Sequence, residues 1–113
     1  MSEVCVVLST APSPEAGAGI GRHLVAEHLA ACVNVVPGAR SIYRWQGQVE
    51  ESDEALLIIK TERTRYPALA RRLQELHTYS VPEVLALPVE TGAPAYLAWV
   101  RTSVGSGGGE GAP

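Results

Sequence analysis

The chain has 113 residues, 46% of them hydrophobic and 5% aromatic, with a net charge of −3. That length supports one domain around a single core, and no apolar run is long enough to cross a bilayer, so no membrane partner is expected. Eight Arg, a single Lys and an acidic balance create no basic field for a phosphate backbone, so nucleic acid is not expected as a partner either.

Met1-Ser2-Glu3 carries no basic stretch, and the apolar segment Val4–Leu8 is too short for a secretory signal, which predicts a cytoplasmic protein. Cys5 and Cys32 lie in separate apolar segments and form no spaced framework; they read as buried free thiols. Val4–Leu8 predicts a first strand, and its lack of alternation predicts burial on both faces. Ser13-Pro14-Glu15 then supplies an N-cap, a proline at the first helical position and an acid in the first turn. Ile20, Leu24 and His28, with Val25 and Leu29, keep helical spacing to about Ala30. Gly17, Gly19 and Gly21 do not read as a phosphate loop, because such glycines precede a helix and these follow its cap; they predict close packing on a neighbouring element.

Two extended segments come next, Cys32–Trp45 and Gln48–Thr61, hinged at Gln46-Gly47 and with a bend or bulge expected at Pro37-Gly38. At about 3.3 Å per residue each arm spans roughly 45 Å, well beyond a core whose radius of gyration should be near 13 Å. Ala55–Ile59 is apolar without alternation and predicts a second central strand. Pro67, Leu69, Leu73 and Leu76 mark a second helix ending near His77, Val84–Val89 a short edge strand, and Pro94 the start of a last helix carrying Tyr96, Leu97, Trp99 and Val100. The domain is placed at residues 1–103, and the Gly-rich stretch 104–113 is expected to be a disordered tail.

Strand, helix, strand, strand, helix, strand is the order of an α+β, ferredoxin-like sandwich, here with an added C-terminal helix. The first and third strands are central in that topology and are the two with uninterrupted apolar runs. Helices on one face would leave the other wet. The apolar runs and the overlong hairpin therefore both predict that further copies of the chain cover the second face.

Three stretches, Ala30–Gly38, Ser41–Gly47 and His77–Val84, resemble the CutA, or divalent-cation tolerance, family, and the similarity extends from the first strand through Trp99. The resemblance implies a ferredoxin-like protomer in a tight homotrimer similar to PII signalling proteins, with a link to copper and other divalent cations. It also implies a cleft between protomers involving Tyr43, Trp45, Lys60, Tyr79 and Glu83. Where the family usually has His-Pro-Tyr-Glu this chain has His77-Thr78-Tyr79-Ser80, so a carboxylate is missing at Ser80. Ser9 and Leu76 stand where metal-binding members present a cysteine and a paired histidine.

Spacing alone gives no C-x-x-C and no H-x-x-x-H, and His23 and His28 sit about 140° apart around a helix. His77 closes a helix, where the macrodipole favours its protonated form. As a ligand it needs Cys32 or a neighbouring copy beside it, and such soft donors suit copper. Glu50, Glu51, Asp53 and Glu54 read as a solvated arm, or in a trimer as rings of acid that collect cations weakly. Tyr43 and Trp45, two apart on a strand, share one face. Lys60, the only lysine, ends a buried strand and either reaches water or pairs with an anionic ligand. No nucleophile stands beside a base and no Gly-x-Ser-x-Gly elbow occurs, so an enzyme of acylphosphatase shape is not expected. The central strands carry no aromatics for stacking RNA bases. The expected function is a non-enzymatic trimeric protein of the metal-ion response that binds copper or a related cation weakly; the alternative is a PII-like module with a small ligand between protomers.

Overall fold

The computed structural model describes residues 3–105, and the Gly-rich segment read as a tail lies almost wholly outside them. Seven main elements follow in chain order: β1 (Val4–Ala11), α1 (Pro14–Ala26), β2 (Cys32–Trp45), β3 (Gln48–Glu62), α2 (Tyr66–Leu76, entered through a short 3-10 turn), β4 (Leu85–Pro88) and α3 (Pro94–Val104). They build an antiparallel four-stranded sheet in the order β2-β3-β1-β4, so β1 and β3 are central. The α+β, ferredoxin-like order read from the sequence is the one observed.

β1 runs three residues past Leu8 because Ser9, Thr10 and Ala11 continue to pair with Leu57, Leu56 and Ala55. Its burial alternates: Val7, Ser9 and Ala11 are sealed beneath the helices, whereas Val6, Leu8 and Thr10 on the other face are half-buried. Within one chain the second face is therefore not closed, and the cover expected for it from the apolar run of β1 would have to come from further copies. Ser13 accepts a hydrogen bond from the Ala16 N–H at 3.1 Å and caps α1. The helix stops at Ala26, four residues short of Ala30, because His28 takes a left-handed φ of 61°. The His28 and Leu29 N–H groups then donate to Val25 O and Leu24 O, a Schellman ending with His where Gly is usual.

Gly17 and Gly21 let α1 lie close on the sheet. A Cβ on Gly17 would come within 2.8 Å of Leu57 Cδ2, and one on Gly21 within 3.1 Å of Val33 Cγ1. Gly19 faces open space. The principal core joins Val7, Leu57 and Ile59 to Leu24, Leu69 and Leu73. Arg72 forks onto Glu27 at 2.9 and 3.0 Å and ties α2 to the end of α1.

The hairpin bulges between Val36 and Ala39, where Gly38 has φ 80°, and reverses at Gln46-Gly47 with φ of 50° and 81°, the signature of a type I′ turn. Beyond Ala55, β3 loses β1 and pairs with β2 alone, so Gln48–Glu54 and Ala39–Trp45 form a free two-stranded ribbon. The molecule is drawn out to 45 × 26 × 23 Å. A smaller core of Val100 and Val104 on Val4 and Ala31 seats α3, which extends one residue beyond the domain limit of 103. The rest of the open face shows Val6, Leu8, Val36, Leu56, Leu85 and Leu87, with Val36, Leu85 and Leu87 40%, 55% and 48% exposed. Among the described residues no helix is long and apolar enough to cross a membrane.

Candidate functional site

The two-residue period of the ribbon puts Ser41, Tyr43 and Trp45 of β2 on one face with their partners Ser52, Glu50 and Gln48 of β3. Glu51 and Asp53 fall on the other face, where Arg40 pairs with both at 3.6 and 3.1 Å. The acidic run is thus two half-clusters, one neutralised by Arg40 and one not.

After α2 the chain turns back over this face, and Tyr79 donates its phenol hydrogen to Glu54 Oε2 at 2.7 Å. Tyr43, Trp45, Glu50, Glu54, Tyr79 and Glu83 consequently border one groove of about 710 Å³. His77 sets the turn. Its Nδ1 accepts the Tyr79 backbone N–H at 3.1 Å, which places the ring hydrogen on Nε2, and Nε2 donates to Thr10 O at 2.7 Å. The His77 and Tyr79 rings lie 4.5 Å apart.

The Tyr79 hydroxyl is pushed up to about 12, first by burial, then by its hydrogen bond to Glu54, then by the Glu54 and Tyr43 charges. The folded value stands above the ordinary 10.0, so this contribution to stability is complete below pH 10 and is lost as the pH rises towards 12. Tyr79→Phe should therefore remove the latest tyrosinate step in an ultraviolet titration. It should also lower stability near neutral pH by about 1 kcal/mol.

A family model described as CutA1 divalent ion tolerance protein matches residues 5–103. The chain belongs to the CutA1 family. It is 52% identical over 100 residues to the divalent-cation tolerance protein CutA of Thermus thermophilus, covering 88% of this chain and 97% of that one. To Protein CutA, chloroplastic, of Arabidopsis thaliana it is 46% identical over 98 residues, spanning 87% of this chain and 54% of the plant protein. The crystal structure of CutA1 from Oryza sativa superposes with a TM-score of 0.90 at 43% identity, covering 93% of this chain and 96% of that one. The solved structure of the Thermus thermophilus protein gives 0.88 at 51% identity, covering 90% and 99%.

Of the residues assigned to a cleft by their CutA1 resemblance, Tyr43, Trp45, Tyr79 and Glu83 border the groove of a single chain. Lys60 does not join them. It lies opposite Cys32, beyond the apolar stretch of β3, and its ammonium donates to Asn34 Oδ1.

His77 and Cys32, taken from the sequence as metal-ligand partners, are not brought together in one chain. His77 bonds at the level of Thr10, whereas Cys32 lies level with Lys60 and hence with Val6. Four residues along a strand separate these levels by about 13 Å, and the strands between add to it. Both His77 nitrogens are already held by backbone, so neither has a free lone pair, and the expectation of a dipole-favoured protonated ring gives way to a ring fixed by two main-chain bonds. Ser9, at the place of the family's cysteine, is sealed on the helix side of the sheet. Among the described residues no three His, Cys, Asp or Glu side chains form a metal-holding group.

Glu54 was legible only as part of a charge run. The signal that separates it is the strand period, which places Glu50 and Glu54 with the aromatics and Glu51 and Asp53 with Arg40.

Proposed function

We propose that this CutA1 chain is a non-enzymatic, cytoplasmic homotrimer of the divalent-metal response that holds copper or a related cation loosely. The observation that carries the reading is the pairing of an open apolar sheet face with a ribbon extending beyond the protomer's own core, each calling for cover that a second and third copy can supply. Free Cys5 and Cys32 suit a reducing compartment. His77 and Cys32 do not meet within one chain. The oxygens of Glu50, Glu54 and Glu83 are the available donors, and such donors without a closed cage bind divalent ions weakly.

Calorimetric titration of the full chain with Cu(II) and Zn(II) tests the metal half of the proposal. Modest heat is expected, reduced in a Glu50→Gln, Glu83→Gln double variant and unchanged in Cys32→Ser. Equal heat from the double variant refutes the carboxylate assignment.

The second reading, a PII-like module with a small ligand in the groove, is favoured by one feature: about 710 Å³ bordered by aromatic rings is the size and character of a small-molecule site, larger than an ion needs.

A further inference from the structure

One side of β3 carries its charges at opposite ends. Ala55, Leu57, Ile59 and Thr61 are sealed under the helices, so the even-numbered residues face the other way, and β3 keeps this period because the bulge puts its extra residue in β2. From the ribbon inward that side presents Glu50 and Glu54, then Leu56 and Ile58, then Lys60. Val6, Leu8, Val36, Leu85 and Leu87 widen the apolar middle. Among the described strand residues on that side, Lys60 is the sole cation. Arg40 and Arg44 alternate to the opposite side of the ribbon, where Arg40 is paired with Glu51 and Asp53. Glu62, beyond Lys60, is 9% exposed and lies opposite Val4, which α3 covers.

Such a face has a direction. Laid on another copy in the same sense, it would set acid on acid. Laid end for end, it covers the apolar middle while bringing the carboxylate end of one copy to the Lys60 end of the next. In a trimer that contact is heterologous, the kind that closes into a ring. The pair cannot form within one chain, because Glu54 and Lys60 are six residues apart on a single strand, about 20 Å. The Lys60 ammonium instead donates to the neutral Asn34 Oδ1, and an ammonium covered by another copy without an anion beside it is costly.

We propose that Lys60 of each protomer pairs with the Glu50 and Glu54 end of its neighbour, so that the acidic groove is completed by a cation from the next copy. This rests on the homotrimer reading and gives that assembly its direction. A divalent cation then competes with an ammonium for the same oxygens.

Lys60 is the only lysine in the chain, which makes zero-length carbodiimide cross-linking a specific test, since the reagent joins an amine to a carboxylate it touches as an amide. The full chain is treated with phenanthroline present to remove metal. Denaturing gels should show covalent species at two and three times 12.0 kDa, joined in mass spectra through Lys60 to Glu50 or Glu54. Lys60→Arg keeps the charge without the reactive amine, and it should lose these species while light scattering returns the wild-type mass. A Glu50→Gln, Glu54→Gln double variant should lose them too. Species that persist in either variant, or links that map to other carboxylates, overturn the proposal. A wild-type trimer without cross-links overturns it and leaves the homotrimer reading in place, whereas a wild-type particle of 12.0 kDa overturns both.

Discussion

Val36→Lys and Leu87→Lys should each convert the protein, in light scattering at micromolar concentration, from a particle about three times 12.0 kDa to one of 12.0 kDa. In a lone chain the two side chains are 40% and 48% exposed. A lysine there would lay its stem along the sheet and lift its ammonium into water, at a cost within about 0.5 kcal/mol. Once another copy covers the face, the same ammonium is buried without a partner, which costs about 3–5 kcal/mol per site and is repeated in every protomer. The effect thus depends almost entirely on whether the face is covered. Val25→Lys, at a similarly exposed position on the outer side of α1, is the control and should leave the mass unchanged. A wild-type particle of 12.0 kDa, or lysine variants that stay assembled, would remove the basis for the trimer.

The hairpin was readable because its punctuation is chemical. Pro37-Gly38 cannot continue a ladder and Gln46-Gly47 accepts two positive φ values, so both the bulge and the turn fall where the residues place them. The end of α1 was not readable, because His28 follows the helical apolar spacing and only its backbone, closing a Schellman motif without glycine, stops the helix. Ser9 and Thr10 look like a strand ending. They stay in β1 because β3 is long enough to pair with them, a tertiary cause that no local pattern carries.

The site divides in the same way. Tyr43 and Trp45 could be placed on one face from the strand period alone, whereas Tyr79 and Glu83 entered only through the family resemblance, since the loop after α2 has no period. Lys60 and Cys32 lie away from the single-chain groove for one reason. A sequence shows that a residue lies in a strand but not at which level of the sheet, and both sit toward the far end from the groove.

His77 is where a metal reading and a structural reading predict opposite results. His77→Ala should lower stability by about 2–4 kcal/mol in denaturant unfolding and leave the copper titration heat unchanged. The imidazole is almost wholly buried and bridges two main-chain groups, Thr10 O and the Tyr79 N–H, while its ring lies 4.5 Å from Tyr79. Alanine strands both backbone groups, each at about 1–3 kcal/mol if no water reaches it, and leaves a space beside Tyr79. Because Tyr79 in turn holds Glu54, the loop that closes one side of the groove should loosen with it, and the Tyr79 titration should move back towards 10.0. His77→Gln, which retains one donor and one acceptor, should recover part of the lost stability. If copper heat instead vanished in His77→Ala while unfolding was unaltered, the imidazole would be a ligand, and the backbone bridge would not be what keeps it there.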